Sequence, residues 1–244
     1  MDKKVVLVTG ASRGVGRRIA MRLAECNYIV IANYNKSESK AKELEKYAVE
    51  SGYDLTIYKA DVTNRKEVKK MMDYIINTYK KIDVVVNNAG IARARMFDEI
   101  NDEDIEYVMQ GNYASVLRVA QEAYPYMKDK KSGCIINISS IFGMTGAEGA
   151  VLYASSKAAV DALTKSLAKE IGRYNIRVNS IAPGVMNTDL NKSLTDADWR
   201  NVKKGSPLNR ITDPNDIAKC VLWLIEDTST TGQVISINSG TTII

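Results

Sequence analysis

The 244-residue chain contains no histidine. This absence excludes a Ser-His-Asp triad, a Cys-His catalytic pair and every metal site that needs a histidine ligand. Acid–base chemistry near neutral pH must then come from a tyrosine, a lysine, an acid or a cysteine whose pKa is shifted by its surroundings. The candidate reactive groups belong to those four classes.

Cysteine is scarce as well. Cys26, Cys134 and Cys220 are far apart and form no CxxC pair. Neither a disulfide framework nor a structural zinc site is expected from this spacing. We expect buried free thiols and no bound metal.

Long apolar runs are missing too. The sequence passes from Met-Asp-Lys-Lys directly into the short run Val5–Val8, so that neither a signal peptide nor a membrane span is expected. The net charge of +5 comes from scattered basic residues that form no arm or aromatic-interleaved patch. This pattern is typical of a solvated surface and does not favour nucleic acid. The expected location is the cytoplasm.

Short apolar runs alternate with helical patterns along the whole chain. Each run is continuous, which is typical of strands that helices cover on both faces. Repeated βαβ units of this kind wind into a parallel sheet. We therefore predict an α/β fold, a doubly wound Rossmann-type domain over residues 1–244 with a seven-stranded parallel sheet flanked by helices. The predicted strands are Val5–Val8, Tyr28–Ala32, Leu55–Tyr58, Val84–Val86, Cys134–Ile138, Ile176–Ile181 and Val234–Ile237.

Two segments between the strands carry more specific predictions. Asn64, followed three residues later by Glu67, predicts a capping box at the start of a helix. Residues 187–213, with scattered polar residues and Pro207, are predicted to form a helical insertion or lid that serves as a substrate loop.

The first predicted strand ends in the glycine-rich loop Thr9-Gly-Ala-Ser-Arg-Gly-Val-Gly16, and a helical pattern follows at once. Glycines at the carboxyl end of a parallel strand let the backbone approach a pyrophosphate, and the free N–H groups of the next helix favour its charge. Because the loop opens a βαβ unit, it predicts a dinucleotide site rather than a plain turn.

The second predicted strand ends without an acid. NAD sites usually place a carboxylate there to bind the ribose 2′-hydroxyl, whereas this chain has Asn33-Tyr34-Asn35-Lys36. Arg13 and Lys36 supply two cations suited to a 2′-phosphate, which predicts NADP(H) as the cofactor. The alternative is that both cations are ordinary surface residues.

Asp61 and Val62 follow the third predicted strand. An acid at that position can accept a hydrogen bond from the adenine amino group. Asp61 is equally well suited to the N-cap of the helix that follows.

Tyr153 and Lys157 stand four residues apart near the start of a helix predicted to run to about Arg173. This spacing places both side chains on one face. A tyrosine has an ordinary pKa of about 10, and a nearby ammonium group lowers that pKa because it favours the phenolate. The pair can therefore move a proton in a chain that lacks histidine. Alone, the pattern is also common on ordinary amphipathic helices.

Other polar residues follow neighbouring predicted strands. Ser139 and Ser140 close the fifth strand, residues 87–90 (Asn-Asn-Ala-Gly) close the fourth, and Asn112 lies on the helix after it. Because parallel strands end at one edge of a sheet, we expect these residues around the glycine loop.

Together these pieces resemble the short-chain dehydrogenase/reductase family over essentially the whole chain. Within that family the sequence is most similar to the 3-oxoacyl-(acyl-carrier-protein) reductases, through the glycine loop, the Asn33-Tyr34 strand end and residues 231–235. The matching pieces are Thr9–Gly16, Asp61-Val62, residues 87–90, Asn112, Ser140, Tyr153–Lys157, Pro183-Gly184 and Thr188.

The resemblance implies a role for each residue. Ser140 polarises the substrate carbonyl, Tyr153 protonates its oxygen, and Lys157 lowers the tyrosine pKa and holds the nicotinamide ribose. Asn112 positions a water that links Lys157 to solvent. The implied catalytic set is Asn112, Ser140, Tyr153 and Lys157. The implied cofactor-binding set is Gly10, Ser12, Arg13, Val15, Asn33, Tyr34, Lys36, Asp61, Val62, Asn88, Ala89, Gly90, Tyr153, Lys157, Pro183, Gly184, Met186 and Thr188.

The resemblance also implies an activity. It is NADPH-dependent reduction of 3-oxoacyl-(acyl-carrier-protein) to the 3-hydroxyacyl form in fatty acid synthesis, with the acidic carrier docked near Lys130, Lys131 and Arg173. The alternatives are a dehydrogenase or reductase of a steroid, sugar or other free ketone, and a dinucleotide sensor without turnover. Such enzymes are usually homotetramers. Helix residues 154–163 include small side chains suited either to a second subunit or to this chain's own sheet.

The C-terminal region departs from the family pattern. Asn238-Ser239-Gly240 stands where the family usually has Asp-Gly-Gly. This region is expected near subunit contacts and the substrate mouth, so the departure bears on substrate and assembly rather than on redox chemistry.

Overall fold

The computed structural model describes residues 3–188, 191 and 194–243. Within them, seven parallel strands form one sheet, and every predicted strand is confirmed to within two residues at each end. The strands are β1 (Val5–Val8), β2 (Ile29–Tyr34), β3 (Leu55–Lys59), β4 (Val84–Asn87), β5 (Gly133–Ile138), β6 (Ile176–Pro183) and β7 (Val234–Ile237).

The described residues also form nine α-helices, and a π-helical segment, Gln110–Ala114, joins the fourth helix to the fifth. The helices are α1 (Gly14–Glu25), α2 (Glu38–Glu50), α3 (Arg65–Tyr79), α4 (Asp102–Met109), α5 (Ser115–Lys130), α6 (Ile141–Thr145), α7 (Val151–Ile171), α8 (Asp196–Lys204) and α9 (Pro214–Glu226). In the part of the chain that the structure describes, no helix is both long and apolar enough to span a membrane.

Helices pack on both faces of the sheet, as the continuous apolar strands predict. On one face α1, α2 and α9 contribute fully buried side chains such as Leu23, Leu44 and Val221. On the other face α3 and α5 contribute Met71 and Met127. Each side chain of this size contributes about 1.5–3 kcal/mol when it leaves water, so two separate apolar layers hold the sheet in place.

The strand order places a crevice at one edge of the sheet. The order is β3-β2-β1-β4-β5-β6-β7, and it reverses direction between β1 and β4. The loops after these two strands therefore leave in opposite directions, which opens the usual ligand crevice of this architecture. Val8 of β1 is level with Val86 of β4, and Asn87 is level with Asn137 of β5. The segments that follow β1, β4 and β5 consequently begin at the same edge of the sheet.

The predicted capping box at α3 is only half formed. Asn64 is the N-cap, and its side chain accepts hydrogen bonds from the backbone N–H groups of Lys66 and Glu67. The Glu67 carboxylate does not accept the backbone N–H of Asn64; it accepts the Asn64 side-chain amide at 3.2 Å and the backbone N–H of Asp61 at 2.8 Å. The backbone N–H of Asn64 donates instead to the Asp61 carbonyl. Glu67 thus joins the start of α3 to the end of β3.

The insertion predicted over 187–213 contains α8, so its helical character is confirmed. Thr195 caps this helix in a capping box with Asp198. Residues 189, 190, 192 and 193 of the insertion lie outside the described residues.

Candidate functional site

Close backbone contacts determine the shape of the glycine loop between β1 and α1. Gly10 and Gly14 have φ angles of +64° and +56°, in the left-handed region that favours glycine. A Cβ on Gly10 would lie 2.9 Å from the Cα of Ala89, and a Cβ on Gly16 would clash with the Asn88 amide. The loop therefore lies directly against the segment that follows β4.

Thr9 and Asn88 tie these two loops together. The Asn88 amide donates hydrogen bonds to the carbonyls of Thr9 and Gly10, at 2.9 and 3.1 Å. In return, the Thr9 hydroxyl accepts the backbone N–H groups of Asn88 and Ala89, both at 3.0 Å. The Asn88 side chain is thus engaged in bracing the glycine loop, a function that its position in the sequence did not reveal.

Asn33 is a second brace rather than an open binding group. Its side chain is 2% exposed, accepts the backbone N–H of Gly10 and donates to the Ala60 carbonyl at 3.0 Å. Tyr34 is also buried, whereas Lys36 is exposed just beyond the strand. The cation expected at this end of the site is accessible, and Asn33 supports the loop beneath it.

Asp61 and Val62 lie beside this corner. The Asp61 carboxylate accepts the backbone N–H and hydroxyl of Thr63, at 2.8 and 2.7 Å. Burial raises the pKa of Asp61, but these hydrogen bonds and the charge of Lys36 outweigh burial and bring the pKa below its usual value. The alternative that Asp61 caps α3 is wrong, because Asn64 is the N-cap. Val62 is buried.

Arg13, Ser12 and Val15 occupy the turn into α1. Arg13 is exposed and stands at the N-cap position, Ser12 is buried, and Val15 packs partly against the core. Helix α1, all of which is described, has no acidic residue in its first turn. Its N-terminus therefore keeps the positive potential that attracts an anion.

Lys157 lies on the buried side of α7, at the edge of the sheet where the strands end. Lys157 is 5% exposed, and its Nζ donates a 2.8 Å hydrogen bond to the backbone carbonyl of Ile138, the last residue of β5. Burial lowers the pKa of Lys157 to about 8, while the charge of Asp161 opposes that shift. A lysine with such a pKa can exchange its proton near neutral pH.

Tyr153 lies one turn before Lys157 on the same side of α7. The Lys157 Nζ lies 5.7 Å from the centre of the tyrosine ring. Burial raises the pKa of Tyr153, although a hydrogen bond with the Ser140 hydroxyl acts in the opposite direction. In the protein without cofactor the tyrosine pKa is therefore raised rather than lowered, because loss of water around the phenol outweighs the Ser140 hydrogen bond.

Ser140 and Ser139 follow β5 but face different neighbours. Ser140 caps α6 by accepting the backbone N–H of Phe142 at 3.2 Å, and it is the serine that interacts with Tyr153. The Ser139 hydroxyl is buried without a hydrogen-bond partner among the described residues, and it lies on the Asp161 side, where it acts to lower the pKa of that carboxyl. This division agrees with the choice of Ser140 made from the resemblance.

Asn112 lies in the π-helical segment and is 0% exposed. Its side chain accepts the backbone N–H of Ile91 at 2.7 Å and donates to the Ile91 carbonyl and the Ser156 hydroxyl, both at 2.9 Å. A Cβ on Gly90 would lie 3.2 Å from the Asn112 Oδ1 and 3.4 Å from the Lys157 Nζ. Asn112 and Lys157 therefore converge on Gly90. Local π-helical turns of this kind are frequent at functional sites.

The segment after β6 closes the crevice from the other side. Met186 is buried and packs in the core layer of α1 and α9, and a Cβ on Gly14 would lie 3.8 Å from Thr188. Thr188 therefore lies over the glycine loop. Gly184, which follows Pro183, has space for no side chain, because a Cβ there would lie 2.9 Å from the Cα of Asn238.

The departure at residues 238–240 has a structural basis. The Asn238 amide donates to the Ser236 hydroxyl and the Thr242 carbonyl, both at 2.8 Å, and its oxygen accepts the backbone N–H of Gly240. An aspartate could not make the two donated bonds. Ser239 has a φ of +58°, where glycine is the favoured residue.

One acid at this edge of the sheet was not predicted from the sequence. Asp161 stands one turn beyond Lys157 and is buried, and the Ser180 hydroxyl donates to its carboxylate at 2.8 Å. The available signal was the continued spacing of four residues from Tyr153 through Lys157. Among the described residues, no three cysteine or acidic side chains are grouped so that they could hold a metal ion.

The glycine loop, the crevice at the reversal of strand order and the Tyr153–Lys157 pair define a dinucleotide-dependent dehydrogenase. Residues 4–199 match the family model for short chain dehydrogenases, and the chain belongs to that family.

Individual proteins that are similar to this chain over nearly its whole length point to a narrower group within the family. The 3-oxoacyl-(acyl-carrier-protein) reductase of Staphylococcus aureus strain Mu50 is 38% identical over 239 residues, which are 97% of each chain. The enzyme of the same name from Thermotoga maritima is 36% identical over 245 residues, which cover 100% of this chain and 99% of that one. The crystal structure of a gluconate 5-dehydrogenase from Burkholderia cenocepacia, in complex with NADP and tartrate, is 29% identical, with a TM-score of 0.93 over 99% of this chain and 96% of that one. The predicted family and fold are confirmed.

Proposed function

We propose that this chain reduces a 3-oxoacyl group on an acyl carrier protein to the 3-hydroxyacyl form in fatty acid synthesis, with NADPH as the cofactor. The observation that carries the proposal is the convergence of Ser140, Tyr153, Lys157 and Asn112 at the sheet edge beside the glycine loop. The full-length similarity to reductases of that name supports the choice of substrate.

The residues at the crevice fit NADP(H). The left-handed glycines bring bare backbone to the crevice, and the N-terminus of α1 favours a phosphate. Arg13 and Lys36 are exposed at this corner, and β2 ends in Asn33 rather than an acid. The related gluconate 5-dehydrogenase structure contains NADP, which agrees with this choice. We assign the remaining predicted contacts to Gly90, Ala89 and residues 183–188.

When bound, NADPH supplies the hydride that reaches the carbonyl carbon. Ser140 donates a hydrogen bond to the ketone oxygen and so polarises the carbonyl. Tyr153 gives its phenolic proton to that oxygen as general acid, so one O–H bond breaks on the tyrosine and one forms on the product. The raised pKa of Tyr153 keeps the phenol protonated at neutral pH, as reduction requires.

Lys157 restores the proton to Tyr153. Its pKa of about 8 leaves it mostly protonated at neutral pH yet able to release a proton. Asn112 and Gly90 adjoin the lysine, and we assign to Asn112 the water that returns the proton from solvent. The presence of this complete set disfavours a dinucleotide sensor, which has no need of a proton donor.

The carrier-docking surface that we propose differs from the three predicted cations. Lys130, Lys131 and Arg173 are all exposed, but Lys130 is paired with Asp83. Arg173 stacks on Tyr174 with 5.0 Å between the guanidinium and the ring centre, and Lys128 approaches the same ring at 5.1 Å. We assign the acidic carrier to this basic and aromatic surface of Lys128, Arg173 and Tyr174.

A homotetramer is the proposed assembly. Of the small residues on α7, Ala154 is buried against the chain's own core, whereas Ser155, Ala158 and Ala162 are exposed along one face, as helix-to-helix packing between subunits requires. Strand β7 is at the edge of the sheet, where a second copy can cover it. We propose that each subunit works as one domain, with residues 187–213 as its substrate loop.

A nicotinamide absorbance assay tests the proposed activity. The purified protein is given acetoacetyl thioesters or a panel of steroid and sugar ketones, each with NADPH and with NADH. We expect oxidation of NADPH with the thioesters. The structural likeness to gluconate 5-dehydrogenase makes a free sugar ketone the second candidate; turnover of a free ketone without any thioester turnover would replace the first proposal with it.

A further inference from the structure

Three polar residues stand on successive turns of α7. Tyr153, Lys157 and Asp161 succeed one another at intervals of four residues, so the three side chains lie along one face. Asp161 is 6% exposed, and its Oδ1 accepts the Ser180 hydroxyl at 2.8 Å. An apolar residue would suffice to pack this position. A carboxylate there needs partners, since burying an unpaired charge is costly.

The groups that face Asp161 come from three elements. Lys157 and Lys165 lie on α7 itself, Ser180 lies on β6, and Ser139 follows β5. Burial raises the pKa of Asp161 above its usual value, and the two hydroxyls and both lysines offset part of that rise. The surroundings therefore provide the Ser180 hydrogen bond and positive charge for the ionised form.

The groups that face Lys157 are mostly neutral. Tyr153 and Asp161 flank it on α7, the Ile138 carbonyl accepts its hydrogen bond at the end of β5, and Asn112 adjoins it across Gly90. The carbonyl and the amide are neutral, and the tyrosine is neutral while it holds its proton. The charge that acts to keep Lys157 protonated is that of Asp161.

We propose that Asp161 is a positioning residue that acts through Lys157: its carboxylate keeps the lysine protonated and held at the end of β5, where it can restore the proton to Tyr153. This inference rests on the proposed reductase function. The direction of the expected pKa shift does not depend on whether Tyr153 or Lys157 releases its proton first. A negative charge favours the protonated form of both Tyr153 and Lys157, so its removal lowers the pKa of the pair. Reduction consumes that proton and should therefore decline at a lower pH.

The test replaces the charge without changing the shape of the side chain. In Asp161→Asn, we expect the pKa of Lys157 to fall by roughly one unit, followed through the lysine Cε resonance of the protein without cofactor. The resonance is assigned by its loss in Lys157→Met. The alkaline limb of kcat/KM for thioester reduction should move to lower pH by a similar amount, while the KM for NADPH stays near its original value.

Three further variants control the experiment. Glu170→Gln removes an exposed acid from the same helix and should move neither titration. Asp161→Glu retains the charge and should keep the lysine titration close to that of the wild type. Ser180→Ala removes a hydrogen bond that favours the ionised carboxylate, so the lysine pKa should fall by less than in Asp161→Asn. If the asparagine variant does not fold, the alanine variant provides the test.

An unchanged Lys157 titration in folded Asp161→Asn, or in Ser180→Ala where the asparagine variant does not fold, overturns the inference, because Asp161 would then be neutral or uncoupled. The titration needs no substrate. If the protein reduces no ketone but Asp161→Asn still lowers the pKa of Lys157, the proposed function is contradicted and the coupling between Asp161 and Lys157 stands. If the wild type reduces the thioester normally but the pKa of Lys157 does not change in Asp161→Asn, the proposed function stands and the coupling is contradicted.

Discussion

The Nζ of Lys157 donates a 2.8 Å hydrogen bond to the backbone carbonyl of Ile138. This bond joins α7 to the end of β5, and the residues that follow Ile138 are Ser139 and Ser140. Tyr153, one turn before Lys157, consequently meets the Ser140 hydroxyl. A single buried ammonium group thus anchors the helix and stands beside the proposed proton donor.

Burial of this ammonium makes stability depend on pH. The pKa of Lys157 is about 8 in the folded protein against an ordinary value of 10.5. Between these values the unfolded chain binds more protons, so the cost of burying Lys157 is fully present below pH 8 and is relieved as the pH rises toward 10.5. Relative to Lys157→Met, the unfolding free energy of the wild type should rise by about 3 kcal/mol over this range.

Urea unfolding of both proteins between pH 7 and 10.5 measures that difference. Lys169→Met, which removes an exposed lysine from the same helix, is the control and should follow the wild-type curve. Parallel curves for the wild type and Lys157→Met would show that the buried lysine has an ordinary pKa.

Preference for NADPH should depend on the corner beside β2. Lys36→Ser removes an exposed cation from the proposed 2′-phosphate site, and we expect the KM for NADPH to rise roughly tenfold because a charge-assisted contact is lost. The KM for NADH should change little. Lys46→Ser on α2 is the matched control, since its ion pair with Glu50 lies on the surface. An equal effect on the two cofactors would refute the assignment of this corner.

The backbone at Ser239 is strained in a way that glycine would relieve. Its φ of +58° costs about 1 kcal/mol for a residue with a Cβ. Ser239→Gly should therefore raise the unfolding free energy by roughly that amount, as measured by thermal or urea unfolding. The same substitution at Ser166, an exposed position inside α7, should lower it by about 0.5–1 kcal/mol. A loss of stability at both positions would be inconsistent with the strain at Ser239.

Replacement of Asn238 by the aspartate that the family usually has at this position should destabilise the protein. Asn238→Asp removes the donors to the Ser236 hydroxyl and the Thr242 carbonyl and brings a carboxylate against that carbonyl. We expect a loss of about 1–3 kcal/mol in unfolding free energy. Asn201→Asp, at an exposed site on α8, provides the control. Equal stability of Asn238→Asp and the wild type would mean that the two donated bonds contribute nothing.

The architecture was predictable because its signals are local. Strands such as β1 and β4 are buried on both faces, so they are continuous apolar runs, and the glycine loop repeats a pattern that backbone sterics demand. The orientation of side chains was less accessible. Asn33 and Asn88 were predicted to bind the cofactor, and only the fold shows their amides bracing the glycine loop.

The pKa shifts in the site could not be predicted either, because they too depend on how side chains are oriented in the packed fold. The spacing of Tyr153 and Lys157 suggests a lowered tyrosine pKa, but the direction depends on how deeply the phenol is buried and on where the ammonium bonds. Asp161 gains its significance from Ser180, which lies on a different strand. Contacts of this kind arise only when separate elements pack together.

The most direct test of the account is the turnover of Tyr153→Phe. This change removes the proton donor and leaves the ring, so NADPH affinity, measured by fluorescence titration, should stay near that of the wild type. Reduction of acetoacetyl thioester should fall by roughly 10²–10⁴-fold, the usual contribution of a general acid. Turnover close to that of the wild type, with NADPH still bound, would contradict the assignment of Tyr153 as the proton donor.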